Sequence, residues 1–146
     1  MITKHGRMRV IPLAMATLVG AAGVLLTAEG LAADKAFGCA CLHNSKTTAT
    51  INYRFRWGDR EWKSVSLGQG KSETMCWAYK DAPKSPELEF QLDVDMTSGK
   101  KWETFSIPRA QSSSVSCSAV PSSAHYHVGY VANSNKKKIQ IYPGKS

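Results

Sequence analysis

Glu87-Leu88-Glu89-Phe90-Gln91-Leu92-Asp93-Val94-Asp95 alternates without a break. Leu88, Phe90, Leu92 and Val94 fall on one side of an extended chain, and the acidic and amide residues fall on the other. Successive side chains of a strand point to opposite faces, so this stretch reads as a strand with one buried and one solvated side. Thr50 to Trp57 repeats the pattern. Ile51, Tyr53, Phe55 and Trp57 share one face, and Asn52, Arg54 and Arg56 share the other.

Working outward, shorter strands are predicted at 37–44, 61–67, 71–79, 100–107, 125–131 and 138–142. They are punctuated by Gly58-Asp59, Gly68-Gln69-Gly70, Ser98-Gly99, Pro108 and Asn133-Ser134-Asn135. Asp81 to Pro86 and the serine-rich Pro108 to Ser123 break the rhythm and read as loops, the second pinned by Cys117. No helical period is present. The expected fold is all-β, an antiparallel sandwich of about 7–8 strands with an immunoglobulin-like architecture. The immunoglobulin hallmarks are missing: Cys41, Trp57 and Cys117 follow the right order, but Val115 stands where the tyrosine corner requires Tyr.

Some motifs carry a looser likeness. They are Asn44 with Ile51 and Tyr53, Trp57-Gly58, Trp62, Leu67 with Gly70, Cys76-Trp77-x-Tyr79, and Pro86-x-Leu88-x-Phe90. On these the chain resembles a family of small exported bacterial β-sandwich domains of uncharacterised function, over about half of the mature sequence. The resemblance implies an exported sandwich and carries no functional residue with it.

The N-terminus belongs to a different class. Lys4, Arg7 and Arg9 precede the uncharged run Val10 to Leu26, and Gly30 to Ala33 supplies small residues for a peptidase. This is the three-part pattern of a cleaved secretory leader. Residues 1–33 are therefore expected to be a signal peptide and residues 34–146 a single domain, with no transmembrane segment after processing. Loss of Lys4, Arg7, Arg9 and Glu29 lowers the net charge from +8 to +6. A basic domain in the periplasm or outside the cell is drawn to anionic surfaces, an envelope glycan among them, although charge alone fixes no partner.

Cys39, Cys41, Cys76 and Cys117 form an even set in a chain read as exported, which points to two disulfides. Cys39 and Cys41 lie two apart on one strand face, too strained a pair to bond to each other. Cys39–Cys76 with Cys41–Cys117 and Cys39–Cys117 with Cys41–Cys76 both remain open. Cys39, Cys41 and His43 share a strand face, and His125 and His127 form a second such set. Were the two strands neighbours, sulfur and imidazole would converge in a way that suits copper or zinc, provided the thiols were free.

No Gly-x-Ser-x-Gly elbow, Walker loop or His-Glu-x-x-His occurs, so no enzyme is expected. The expected function is binding or structural association in the envelope or outside the cell, with no cofactor. The sequence names no partner; an anionic envelope glycan or another protein fits, and Trp62, Trp77 and Trp102 are the candidate contacts. Nucleic acid is not expected, because Arg54 and Arg56 point away from the rings of Tyr53, Phe55 and Trp57 on the same strand. The runner-up is a periplasmic metal-binding protein that uses Cys39, Cys41, His43, His125 and His127.

Overall fold

The computed structural model describes residues 34–82, 84–97 and 99–144. The leader read over residues 1–33 lies outside the described residues. Nine strands are present: β1 (Phe37–Lys46), β2 (Ile51–Trp57), β3 (Lys63–Leu67), β4 (Ser72–Ala78), β5 (Leu88–Asp93), β6 (Trp102–Phe105), β7 (Ala110–Ser112), β8 (His125–Tyr130) and β9 (Ile139–Pro143). Short 3-10 turns at Cys117–Ala119 and Ser122–Ala124 complete the list of elements. No described helix is long and apolar enough to cross a membrane.

The strands form two packed sheets. One has five strands, in the order β4-β1-β8-β9 with β7 also paired to β1; the other has four, in the order β3-β2-β5-β6. This is the expected sandwich. Eight strands fall where the alternation placed them, and the ninth, β7, lies inside the segment read as a loop.

The period-two faces meet in the middle. Tyr53, Phe55 and Trp57 of β2 and Leu88, Phe90 and Leu92 of β5 turn inward. They face Ala40, Leu42, Met75, Trp77, Tyr126, Val128 and Ile139 of the five-stranded sheet. Tyr53 stacks on Phe90 at 5.4 Å between centroids, and Trp57 meets Trp77 at 5.9 Å. Burial on this scale is the main favourable term holding the sheets together. Asn44 is buried among these apolar residues without being orphaned. Its Nδ2 donates to the Ala49 carbonyl at 2.8 Å and the Leu67 carbonyl at 3.0 Å, so it clasps the end of β1 to the chain entering β2 and leaving β3.

Two features depart from the simple antiparallel expectation. First, β1 and β8 run parallel, with Cys41 opposite His125 and His43 opposite His127. Second, β1 is buried on both sides, with Cys39 and Cys41 as inaccessible as Ala40 and Leu42. Both have the same cause. β7 runs antiparallel beside the start of β1, ending with Ser112 opposite Phe37. The chain must then turn back across the outer face of the sheet before it can enter β8 alongside Cys41. That crossing segment covers the outer face. Thr74 Oγ1 donates to the Val115 carbonyl at 2.6 Å, and Cys117 bonds to Cys41.

The open question of connectivity is answered. Cys39 bonds to Cys76, its direct cross-strand partner, with Cα atoms 4.2 Å apart. Cys41 bonds to Cys117 across 76 positions of chain, with Cα atoms 5.5 Å apart. Neither bridge joins the two sheets, so the immunoglobulin disulfide is absent along with the tyrosine corner.

Candidate functional site

The outer face of the five-stranded sheet gathers chemistry that is 82 residues apart in sequence. On β1, residues two apart share that face, which places Cys41, His43 and Ser45 in one row. On β8 the same rule places His125 and His127 there, while Tyr126 and Val128 turn into the core. The parallel register sets the two rows side by side. The His43 ring lies beside His125, with centroids 4.9 Å apart, and beside His127 at 4.8 Å, so it sits in the middle of three imidazoles.

The hydrogen bonds of His125 and His43 indicate which nitrogen carries the proton in each. His125 Nε2 lies 2.9 Å from the Val120 carbonyl, which can only accept, so Nε2–H donates. In the neutral ring His125 Nδ1 is then a lone pair, 2.8 Å from His43 Nε2, which donates to it. His43 Nδ1 in turn accepts from the Ser72 hydroxyl at 2.6 Å. His127 Nδ1 lies 2.8 Å from Ser45 Oγ. Each imidazole therefore has one nitrogen held by a partner on the sheet or the covering loop.

The electrostatics favour neutral rings at His43 and His127. Burial, reinforced by His127 and His125, holds His43 below the ordinary imidazole value. Burial, with Lys46 and His125 adding to it, does the same for His127. Beside His127 opens a cleft of about 480 Å³ lined by Lys46, His127, Tyr142, Pro143 and Gly144. Gly129 keeps this corner open to the Tyr142 ring, since a Cβ there would lie 2.9 Å from Tyr142 Cε2.

Of the five metal candidates, the structure sets Cys41, His43, His125 and His127 on one face of the sheet, with Cys41 and His43 in direct contact. Cys41 Sγ is 3.3 Å from His43 Nε2, and the ligand atoms of Cys41, His43 and Cys117 lie within 4.8 Å of one another. Cys39 pairs toward β4 instead. All four sulfurs are held in disulfides, so the thiolates that a sulfur site needs are not free in this state. Ser45, Ser72 and the Val120 carbonyl were not singled out from sequence; their role follows from pairings that no local pattern announces.

The tryptophans divide. Trp77 is 6% exposed and packs in the core against Trp57, so it offers no open surface contact. Trp62 and Trp102 lie half-buried on the outer face of the four-stranded sheet, where they flank the Arg54 guanidinium at 4.6 Å and 4.7 Å. Arg56 also lies over Trp62, at 4.8 Å, and meets Glu89 through two hydrogen bonds. Arg54 and Arg56 do point away from the rings of their own strand, but rings from outside that strand come to meet them.

No protein-family model matches the chain, and no curated protein matches it. A solved structure described as the NMR structure of a protein from Eubacterium rectale is similar at 15% identity and a TM-score of 0.41. The match covers 77% of this chain and 92% of that one.

Proposed function

We propose that the chain is an exported, non-enzymatic binding protein of an oxidising compartment, and that it binds a divalent transition-metal ion, zinc or copper(II), through His43, His125 and His127. Two disulfides fit such a compartment. One observation carries the ligand assignment. In each of the three rings one nitrogen is engaged by Ser72, Val120 or Ser45, and this leaves His43 Nε2, His125 Nδ1 and His127 Nε2 as the ligating set. Ligating histidines characteristically have their second nitrogen held in this way, which fixes ring orientation.

For the His43–His125 pair the rearrangement needed is small. Ligands about 2.0–2.1 Å from a tetrahedral ion are about 3.3 Å apart. The His43–His125 contact of 2.8 Å therefore opens by roughly half an ångström when the ion replaces the shared proton. His43 then carries its proton on Nδ1, and the Ser72 hydroxyl accepts instead of donating. Copper(II) and zinc both suit imidazole.

Calorimetric titration of the oxidised protein with each ion tests the reading. One ion per chain is expected, with affinity lowered by at least about 10–100-fold in His43→Ala. An unchanged isotherm in that variant would sink the assignment. The other reading, contact with an anionic glycan or a protein, draws on Trp62 and Trp102. Their rings are already stacked against guanidinium groups, which leaves less free aromatic face for a ligand.

A further inference from the structure

We propose that the Cys41–Cys117 disulfide is the closed, oxidised form of a second metal site, in which the freed thiolates of Cys41 and Cys117 join His43 and His125 around zinc or copper(I). The proposal builds on the imidazole reading, since His43 and His125 serve both states. It differs in its sulfur ligands, in its softer metal and in not using His127.

The geometry is nearly that of the product. Cys41 Sγ already lies 3.3 Å from His43 Nε2, which in turn lies 2.8 Å from His125 Nδ1. Around a tetrahedral ion with sulfur at about 2.3 Å, sulfur and nitrogen ligands are separated by about 3.5 Å and two sulfurs by about 3.8 Å. Opening the sulfur–sulfur bond lets the two sulfurs part to that spacing while the nitrogens barely move. Two thiolates and two imidazoles are a closed set suited to zinc, and sulfur favours copper(I).

The chain around Cys117 permits the motion without losing the ligand. Cys41 is locked in the middle of the sheet, whereas Cys117 is half-exposed and opens a three-residue turn in the covering loop. On either side of it the loop stays tied to the sheet, by Thr74 to the Val115 carbonyl and by His125 to the Val120 carbonyl. Cys117 is therefore held over the site after reduction. The other bridge has no such capacity: Cys39 and Cys76 face each other across two paired strands, and among the described residues neither sulfur has a histidine hydrogen-bond contact.

The chemistry balances with a dithiol as reductant. It delivers two electrons and two protons, its own sulfurs join as a disulfide, and the Cys41–Cys117 bond breaks to two thiols. Binding a divalent ion then releases both thiol protons to solvent.

The test reduces the full mature protein with a phosphine under inert gas, removes the reagent, and titrates cobalt(II) as a spectroscopic stand-in for zinc. Thiolate-to-cobalt charge-transfer bands and the visible bands of tetrahedral cobalt are expected at one ion per chain. The charge-transfer bands should vanish in the Cys41→Ser/Cys117→Ser double variant and persist in His127→Ala. Absence of these bands in the reduced wild type, or their survival in the double variant, overturns the proposal. Melting gives an independent reading should reduction loosen the fold. Zinc must raise the melting temperature of the reduced wild type, and an equal melt with and without zinc contradicts the site. The two readings fail separately: loss of metal binding by the oxidised protein alone removes the imidazole site, and loss of the thiolate bands alone removes this one.

Discussion

The outer faces of the two sheets are built from similar materials and do opposite things with them. On the four-stranded sheet, Arg54 is held between Trp62 and Trp102 and donates from Nε to Gln91 Oε1 at 2.7 Å, and Arg56 lies over Trp62 and grips Glu89. Donors, rings and carboxylate satisfy one another. On the five-stranded sheet, three imidazoles stand side by side with no carboxylate among them, held from behind by serines and a carbonyl. The first arrangement is complete in itself, while the second concentrates lone pairs that a cation would use. A basic or aromatic surface is thus weak grounds for a ligand when its groups already have partners inside the protein.

The comparison breaks most readily at the covering loop. Replacing Cys41 and Cys117 together by Ala removes a bridge that closes a long loop, and should destabilise the protein by about 2–5 kcal/mol. Chemical denaturation checks this. A midpoint shift no larger than that of a surface substitution would mean that the loop is held without its disulfide. The effect belongs to the histidine face, because no covalent link braces the other one.

A smaller effect is expected on the opposite sheet. Arg54→Ala loses two stacked contacts and the bond to Gln91, for a destabilisation of about 1–2 kcal/mol, and should leave zinc affinity unchanged. A change in zinc affinity would show that the two faces are coupled through the core.

Smaller still is the pH response of the metal-free protein. His43 and His127 have folded values below the 6.5 of a free imidazole. Their contribution is present above pH 6.5, where both states are neutral. It is lost as the pH falls toward the folded values, because the unfolded chain takes up protons first. The groups facing them are His125, Lys46 and each other. Melting temperature should therefore decline below about pH 6.5 and do so less in His43→Ala. Identical pH profiles for the two proteins would contradict the packed, neutral cluster.

Asp93→Asn should have the smallest effect. Burial holds this carboxyl above its ordinary 3.8, against the pull of the Lys101 N–H. A raised carboxyl favours folding less as pH rises through 3.8 toward its folded value. Asn keeps the bond from Lys101 and removes the charge. The variant should match or exceed the wild type at neutral pH, within about 1 kcal/mol, and lose any advantage in acid. A clearly weaker variant at neutral pH would mean that the charge is compensated.

The sheet architecture was legible because period-two burial is local. Glu87 to Asp95 shows its two faces without any knowledge of its neighbours, and Leu88, Phe90 and Leu92 are buried as that reading requires. β7 was not legible, since three residues, Ala110 to Ser112, are too few to show a period. Nor does Trp77 declare itself from the sequence: it shares a face with Met75, but only the opposing sheet makes that face a core. His43, His125 and His127 could each be named as candidates, and the pairing that joins them could not. It depends on a parallel contact reached only after the chain has crossed the outer face, and such non-local pairings leave no trace in spacing.

The central claim is that these three rings form one metal site through stated nitrogens. Imidazole nitrogen NMR of the oxidised mature protein, recorded while zinc is added, tests it most directly. The account predicts that His43 Nε2, His125 Nδ1 and His127 Nε2 become metal-bound together and saturate at one equivalent, that His43 Nδ1 gains the proton its Nε2 gives up, and that the nitrogens facing Val120 and Ser45 stay hydrogen-bonded. Rings that bind the ion singly, through the opposite nitrogens, or not at all would contradict it.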